Sequence, residues 1–264
     1  MSKISYGTWL TIYSEAIAEL LSRAGYEWIT IDLEHTSISI SEAEKLIRII
    51  DLCGVKPIVR VSSNNSAEIK KILDFGARGV IIPMVNNVDD VKNAIKACFY
   101  PPLGLRGMGL NRAQGYGDKV TKERYINDEA KKIELYLNIE SKEAVKNIDS
   151  IFASDITGYF LGPYDLSASI GSPGKFDTLE FIDLEKKIIK AAEKYNIKKG
   201  DCGLPKLACV LHLLTERVPV SALALAPLTL VPRTAAPVPA ETPSVSRSRW
   251  SRWSCWSHWS YWSC

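Results

Sequence analysis

A regular alternation of short apolar segments with amphipathic segments, over the first 200 residues, most constrains how this chain can fold. Apolar segments of strand length begin near residues 6, 28, 57, 79, 135 and 158. Between them apolar residues recur at helical spacing, as over residues 142–152 and 181–195, and Ser41 with Glu44 has the spacing of a capping box. Such alternation is typical of parallel strands joined by crossover helices, so the sequence predicts an α/β fold.

Two parallel architectures fit this alternation, a doubly wound sheet and a TIM-type (β/α) barrel. The polar residues favour the barrel because they fall just after the strands. Glu34 and His35 follow the second strand, Arg60 ends the third, Glu140 ends the fifth and Asp165 follows the sixth. Barrel enzymes build their active sites at this C-terminal rim. We therefore predict a barrel that is incomplete at its C-terminus, because strands seven and eight cannot be recognised.

Residues 201–264 break the alternation. The first part of this stretch is rich in Pro, Ala and Leu, and tryptophan then recurs at every third position from Trp250 to Trp262. A period of three fits neither a helix face nor a strand face. We predict two regions, a truncated barrel domain over residues 1–200 and a low-complexity tail over residues 201–264. The tail is interpreted as the product of a frameshift or misassembled gene, with an aromatic binding segment as the alternative.

Charge and composition exclude several classes of protein. Residues 201–264 hold six of the 33 basic and three of the 30 acidic residues, so residues 1–200 are neutral, with 27 of each. A neutral body gives no reason to expect a nucleic-acid partner. The sequence shows neither a membrane span nor the apolar core of a signal peptide, so a cytoplasmic location is expected. The six cysteines form no Cys-x-x-Cys pair, which argues against a zinc site.

The residues of the predicted rim have alternative interpretations. His35, the only histidine in the first 200 residues, fits a structural role or a general base. Glu140 and Asp165 fit a helix cap or a surface acid, but two carboxylates at neighbouring strand ends also form an oxygen-ligand pair for Mg²⁺ or Mn²⁺. Arg60 fits a buried ion pair or a contact to the carboxylate or carbonyl of a small keto acid.

The lysines bear on the kind of carbanion chemistry that such a rim could support. An enzyme that forms an imine with a keto acid needs a lysine that projects into the barrel. The recognised strands after Trp28 contain none, and Lys56 precedes the third strand, at the wrong end. A carbanion formed here would therefore need a metal ion in place of an imine.

Seven short segments, spread over about residues 6–198, carry a resemblance through their order and spacing. They are Ile-Asp-Leu-Glu-His at 31–35, Lys-Pro-Ile-Val-Arg at 56–60, Leu-Asp-Phe-Gly-Ala at 73–77, Ile-Pro-Met-Val at 82–85, the glycine-rich segment at 100–109, Asn-Ile-Glu at 138–140 and Gly-Pro-Tyr-Asp-Leu-Ser at 162–167. Together they resemble the HpcH/HpaI aldolase/citrate lyase family, which includes 2,4-dihydroxyhept-2-ene-1,7-dioate aldolase and 2-dehydro-3-deoxyglucarate aldolase.

The resemblance implies a role for each matching position. Glu140 and Asp165 match the metal ligands, and the expected cofactor is Mg²⁺, Mn²⁺ or Co²⁺. His35 matches the general base, and Asp74 matches the residue that orients it. Arg60 matches the arginine that contacts the keto oxygen of pyruvate.

Further positions border the substrate in the family's pattern. The backbone at Gly162, Pro163 and Tyr164, next to Asp165, is implied to hold the pyruvate carboxylate, and Glu34 to order metal-bound water. Asn138 and Tyr164 depart from the family, where Gln and Ala are common, so the choice of substrate is expected to differ more than the chemistry.

The activity implied by the resemblance is that of a class II, divalent-metal-dependent aldolase. Such an enzyme joins pyruvate to an aldehyde, or cleaves a 4-hydroxy-2-oxo acid into the two. The expected partners are a small keto acid and an aldehyde, together with further copies of the chain in a homo-oligomer if the barrel end is intact. A citryl-CoA-type lyase of the same superfamily and an inactive frameshifted product are the alternatives.

Overall fold

The computed structural model describes residues 5–118, 121 and 124–200. Within them one sheet runs in chain order, with every neighbouring pair of strands parallel. A doubly wound sheet reverses its order at a switch point, and this order never reverses. The predicted (β/α) barrel is confirmed as incomplete in the described residues, where its first and last strands do not pair. The strands are β1 (Gly7–Leu10), β2 (Trp28–Asp32), β3 (Lys56–Arg60), β4 (Gly79–Ile82), β5 (Glu134–Ile139), β6 (Gly158–Leu161) and β7 (Lys198–Gly200).

Helices connect the strands as expected for parallel crossovers. After the helix Val88–Cys98 and before β5, the described chain has only short 3₁₀ and π turns, at Arg112–Gly117, Tyr125–Glu129 and Ala130–Lys132. The α-helices are α1 (Glu15–Arg23), α2 (Ile40–Leu52), α3 (Ser66–Asp74), α4 (Val88–Cys98), α5 (Lys142–Lys146), α6 (Ile148–Phe152), α7 (Pro163–Ser169) and α8 (Leu179–Tyr195).

Two sequence predictions about helices are wrong in detail. The capping box of α2 is formed by Ser39 and Glu42, whereas Ser41 and Glu44 lie inside the helix. The extended backbone of Ser39 lets its hydroxyl accept from the Glu42 N–H, and the Glu42 carboxylate accepts from the Ser39 N–H in return. The single helix predicted over residues 142–152 is broken at Asn147 into α5 and α6.

The seventh strand is an addition to the predicted fold. β7 pairs with β6 from Gly158↔Lys198 to Phe160↔Gly200. A Cβ atom on Gly200 would lie 2.4 Å from the Phe160 ring, so only glycine fits at this point of the sheet. Two exposed lysines and a glycine lack the apolar pattern by which strands are recognised, which is why β7 is not predicted.

The two faces of the sheet bury different residues because alternate side chains of a strand point to opposite sides. Outward-facing residues such as Ile31, Val59 and Leu137 join the main core against the helices. Inward-facing residues form a second, largely aromatic cluster of Trp9, Trp28, Ile58, Ile81, Tyr136 and Phe160. This cluster packs on the inward side of the sheet below the strand ends, and the rim lies beyond it.

The predicted tail, residues 201–264, lies outside the described residues, and the division of the chain into two regions stays a prediction. Rapid trimming to near residue 200 in limited proteolysis is the outcome expected of it. Among the described helices, none has the length and apolar content that a membrane crossing requires.

Candidate active site

Arg60, the last residue of β3, is held by Asp32, the last residue of β2, which lies beside it in the sheet register. Arg60 Nε donates to Asp32 Oδ1 at 2.9 Å and Nη2 donates to Oδ2 at 2.7 Å. Burial alone would raise the pKa of Asp32, but the hydrogen bond and charge of Arg60 lower it below its ordinary value. The result is an ionised, bidentate pair whose fork fixes the plane of the guanidinium.

The turn after β2 is organised around the same carboxylate. Asp32 Oδ1 accepts from the backbone N–H of Glu34 at 3.0 Å and from that of His35 at 3.4 Å. The turn directs Glu34 Oε2 to 3.2 Å from Arg60 Nη1. The guanidinium of Arg60 lies over the Trp9 ring, with 4.8 Å between Cζ and the ring centroid. Arg60 is therefore held by two carboxylates and by an aromatic ring from β1.

His35 stands at the outer edge of this group. Its side chain is 61% exposed, and its Nε2 lies 3.6 Å from Glu34 Oε2. An imidazole that is open to solvent and next to a carboxylate can accept a proton from a bound substrate. The structure thus brings His35, Glu34 and Arg60 together, as the rim argument predicts.

Glu140 follows β5 and is almost fully buried, with 4% of its surface exposed. Its Oε1 accepts from the backbone N–H of Met84 at 2.5 Å, and its Oε2 accepts from Asn138 Nδ2 at 3.1 Å. Met84 has φ = 52°, in the left-handed region that disfavours side chains other than glycine. This strained turn after β4 directs an N–H group at the carboxylate, and such outliers concentrate at functional sites.

Asp165 and Gly162 come from the loop and helix that follow β6. Gly162 occupies the N-cap of α7 and Asp165 lies in its first turn, so Asp165 is not the helix cap that one sequence interpretation allowed. A Cβ atom on Gly162 would lie 2.6 Å from both Cβ and Oε2 of Glu140. The absence of a side chain here lets the end of β6 approach the Glu140 carboxylate closely.

Three carboxylates from different strand ends repel one another at this point. Burial raises the pKa of Glu140 to about 7; the hydrogen bond from Met84 opposes the rise, and the charges of Glu34 and Asp165 add to it. Burial likewise raises the pKa of Glu34, which the charge of Arg60 opposes and that of Asp165 reinforces. The rim therefore concentrates negative charge around Glu140.

This donor set fits a hard divalent cation. Carboxylate oxygens are the ligands that Mg²⁺ and Mn²⁺ prefer, and a cation would offset both the burial and the like charges that raise the pKa of Glu140. Over residues 5–118 and 124–200, no cluster of three or more His, Cys, Asp or Glu side chains is arranged to hold a metal. The protein's share of the ligands would then be two carboxylates, with water and substrate completing the shell.

The lysines of the described strands all lie where strands begin. The strands do contain lysine, contrary to the sequence analysis: Lys56 is the first residue of β3, and Lys198 and Lys199 belong to β7. Lys56 Nζ is 2.6 Å from Glu134 Oε1, and Lys198 is in register with Gly158, the first residue of β6. Lys56 and Lys198 thus begin their strands, at the end of the sheet opposite the rim.

Comparison with known proteins agrees with this geometry. Residues 5–211 match the HpcH/HpaI aldolase/citrate lyase family. The chain belongs to this family. A hydroxypyruvate/pyruvate aldolase of Sagittula stellata is 39% identical over 171 residues, which cover 64% of this chain and 66% of the relative. A 2-keto-3-deoxy-L-rhamnonate aldolase of Klebsiella pneumoniae is 35% identical over 194 residues, 71% of this chain and 72% of the relative.

A solved structure of an HpcH/HpaI aldolase/citrate lyase family protein from Burkholderia cenocepacia superposes with a TM-score of 0.70 at 28% identity. The match covers 75% of this chain and 79% of that one. The chain spans about two thirds of the length of the curated aldolases that it matches. Residues 5–211, which match the family, include every strand of the described sheet.

Asp74 is the one family-matched residue that the described contacts separate from the others. It ends α3 and accepts from Arg106 Nη2 at 2.6 Å and from Gln114 Nε2 at 3.5 Å. Because α3 runs antiparallel to the strands, its last residue lies where the strands begin, away from His35. Among the described residues Glu34, not Asp74, is the acid beside His35, and Asp74 forms a buried ion pair instead.

The two departures from the family's pattern have different surroundings. Asn138 is buried and donates to Glu140, so it acts on the carboxylate rather than on open space. Tyr164 is 54% exposed and packs edge-on against Phe176, with ring centroids 5.2 Å apart. Tyr164 is therefore better placed than Asn138 to contact a substrate and to influence which one is accepted.

Sequence reasoning missed three contributors to the site. Asp32 reads as the end of an apolar strand, Trp9 as a core aromatic, and Met84 contributes only a backbone N–H. An inward position at a strand end is a signal for Asp32, because inward residues alternate along each barrel strand. No local sequence pattern predicts that Trp9 or Met84 contributes to the site, since their contacts are with residues of other strands.

Proposed function

We propose that this chain is a divalent-metal-dependent aldolase that forms or cleaves the bond between pyruvate and an aldehyde, with a 4-hydroxy-2-oxo acid as the joined substrate. The observation that carries the proposal is the rim itself, where Arg60 is fixed by Asp32 beside the convergent acids Glu34, Glu140 and Asp165. The names of the relatives, a hydroxypyruvate/pyruvate aldolase and a 2-keto-3-deoxy-L-rhamnonate aldolase, support the same class of reaction.

In this proposal Glu140 and Asp165 hold the cation, Mg²⁺, Mn²⁺ or Co²⁺, and Glu34 orders water next to it. A divalent cation bound there supplies Lewis acidity toward the oxygens of the keto acid. The backbone N–H of Gly162 is engaged with the Ile139 carbonyl, and Pro163 has none. The pyruvate carboxylate would therefore be held by N–H groups of the first turn of α7, from Tyr164 onward.

The chain's own side chains then account for the chemistry. His35 accepts the proton of the C4 hydroxyl, directly or through a water molecule, and the C3–C4 bond breaks as the aldehyde forms. The electron pair of that bond passes to the pyruvate fragment, whose developing negative charge at the C2 oxygen is stabilised by the guanidinium of Arg60. In the direction of synthesis His35 returns the proton to the new alkoxide.

The proposed function is tested by mixing the full chain with pyruvate and a series of aldehydes, after chelation and after adding back Mg²⁺, Mn²⁺ or Co²⁺. Metal-dependent formation of a 4-hydroxy-2-oxo acid is expected, with no inactivation by borohydride in the presence of pyruvate, since no imine forms. Activity that survives chelation, or borohydride trapping, would sink the proposal. Turnover of a CoA thioester in place of pyruvate would favour the citryl-CoA-type alternative.

Small keto acids and aldehydes are thus the proposed partners, and we infer a homo-oligomer of the chain if the barrel end is intact. Light scattering coupled to size exclusion measures the oligomeric state directly. A monomer that is active at full rate would contradict this inference without affecting the assignment of the reaction.

A further inference from the structure

Trp9 is the least expected neighbour of the rim. It lies in β1, in register with Thr30 of β2, and its side chain belongs to the inward-facing aromatic cluster. The guanidinium of Arg60 lies over its ring, with Cζ 4.8 Å from the ring centroid. The carboxylates of Asp32 and Glu34 contact the N–H groups of the same guanidinium, so Trp9 adds an aromatic contact to two ionic ones.

The position of Trp9 is fixed by packing below it. Its ring meets Phe160 edge-on, with centroids 5.9 Å apart and an interplanar angle of 85°, and Phe160 is 3% exposed. Within the described residues the indole Nε1 of Trp9 is buried without a hydrogen-bond partner. Leaving a donor unpaired is unfavourable, so the ring orientation is set by its stacking contacts rather than by a hydrogen bond.

We propose that Trp9 is a positioning residue that holds Arg60 in the one plane from which it can donate to the keto oxygen of the substrate. The inference rests on the proposed function and deepens it. A hydrogen-bond donor stabilises developing charge only when it is aimed in advance at the oxygen. The flexible stem of Arg60 does not provide that aim, whereas an aromatic face below the guanidinium and a carboxylate fork at its edge provide it together.

The matched control is Trp28. It has the same side chain, belongs to the same inward-facing cluster and meets Phe160 edge-on at 6.3 Å, but it starts β2 at the far end from Arg60. Trp9→Leu and Trp28→Leu should therefore lower thermal stability to a similar extent. Only Trp9→Leu should weaken substrate recognition.

The experiment compares Trp9→Leu, Trp9→Phe and Trp28→Leu in the full chain with Mn²⁺ present. Pyruvate affinity is measured by calorimetry, and kcat and KM by the aldol assay. Trp9→Leu should raise the Kd and KM for pyruvate by about tenfold, the middle of the range for a partly desolvated cation–π contact. Trp9→Phe, which keeps a flat face, should recover most of the affinity, and Trp28→Leu should stay within about twofold of the parent.

A double-mutant cycle with Arg60→Lys separates positioning from general damage. Lysine keeps the charge but loses the planar fork, so removing Trp9 should cost much less in the Arg60→Lys background than in the parent. Additive effects, or equal losses of pyruvate affinity in Trp9→Leu and Trp28→Leu, would overturn the inference. If the parent chain shows no metal-dependent aldol reaction, the proposed function fails, whereas the calorimetric comparison still judges Trp9.

Discussion

The concave side of the sheet carries ionic groups at both ends, and the two ends differ in charge balance. Where strands begin, Lys56 Nζ meets Glu134 Oε1 at 2.6 Å and the Tyr136 hydroxyl donates to Glu134 Oε2 at 3.0 Å. In this pair one cation meets one carboxylate. Where strands end, one guanidinium, that of Arg60, shares the rim with four carboxylates, those of Asp32, Glu34, Glu140 and Asp165.

The difference separates a structural pair from a functional site. At the strand starts, burial raises the pKa of Tyr136 and the charge of Glu134 raises it further, so the phenol stays a neutral donor in a balanced group. At the rim, burial and like charges raise the pKa of Glu140 to about 7, which disfavours its ionised form. A protein keeps such a costly arrangement where a cation or substrate offsets it.

The largest expected effect comes from removing the carboxylates of the rim. Glu140→Ala and Asp165→Ala should each abolish metal-dependent aldol activity while circular dichroism shows the secondary structure intact. Glu134→Ala removes a carboxylate from the balanced end and should leave the activity measurable. Full activity of either rim variant after chelation and metal re-addition would remove these residues as ligands.

His35→Ala should lower kcat by about 10²–10⁴, the usual contribution of a general base, with little change in pyruvate affinity. Ser37→Ala, an exposed neighbour in the same loop, is the control and should behave as the parent. Exchange of the pyruvate methyl protons is followed by NMR. An unchanged kcat for aldol cleavage without His35 would show that it is not the base, whereas methyl-proton exchange at the parent's rate would confine its role to the C4 hydroxyl proton.

Gly162→Ala tests the close approach to Glu140. The added Cβ would lie 2.6 Å from Glu140 Oε2, so the carboxylate or the backbone must move. Displacing a ligand in this way should weaken Mn²⁺ binding by about 10–100-fold. Gly109→Ala, where an added Cβ meets nothing within 4 Å, is the matched control. Mn²⁺ affinity is measured by titration calorimetry. An unchanged affinity in Gly162→Ala would show that Glu140 is not a metal ligand.

The metal-free chain should respond to pH through Glu140. Its folded pKa of about 7 lies above the ordinary 4.5, so between these values the folded chain holds a proton that the unfolded chain lacks. The free energy of unfolding therefore falls as pH rises across this window and stays lower above it. Glu140→Gln removes this dependence. Between pH 4 and pH 8 the parent should therefore lose about 1–3 kcal/mol of unfolding free energy relative to Glu140→Gln.

Urea denaturation with chelator present measures that gain. With Mn²⁺ in place of chelator the parent should become more stable than Glu140→Gln at pH 8, because only the parent gains stability by binding the metal. A parent chain whose free energy of unfolding is flat from pH 4.5 to 8, relative to Glu140→Gln, would show that the rim is not electrostatically strained.

The smallest expected effect belongs to the balanced end. Lys56→Met removes a half-exposed ion pair with Glu134 and should cost less than about 1 kcal/mol of unfolding free energy. The value of kcat should change little, since the pair lies a full strand length from Arg60. A large loss of activity would indicate that Lys56 has a catalytic role, such as forming an imine. The pair at the strand starts would then not be purely structural.

The strand ends could be read from the sequence because burial on both faces makes each strand a run of mostly apolar residues, and charged residues cluster at its end or just after it. That pattern identified Glu34, His35, Arg60, Glu140 and Asp165, all of which lie at the described rim. β7 has no such run, so the pattern could not show it. The capping box of α2 was displaced by two residues because two Ser-to-Glu spacings overlap there.

The sequence by itself determined the α/β alternation, the parallel sheet, the residues at the strand ends and, through seven short segments, the family. Only the tertiary structure decided which of those residues meet. The Asp32–Arg60 fork and the repulsion of Glu140 by Glu34 and Asp165 arise from register and burial between residues that lie 25 or more positions apart in the chain. Local patterns report a residue's own strand or helix, whereas the contacts of Trp9 with Arg60, and of Asp74 with Arg106, exist only once the sheet has curved and the helices have packed on it.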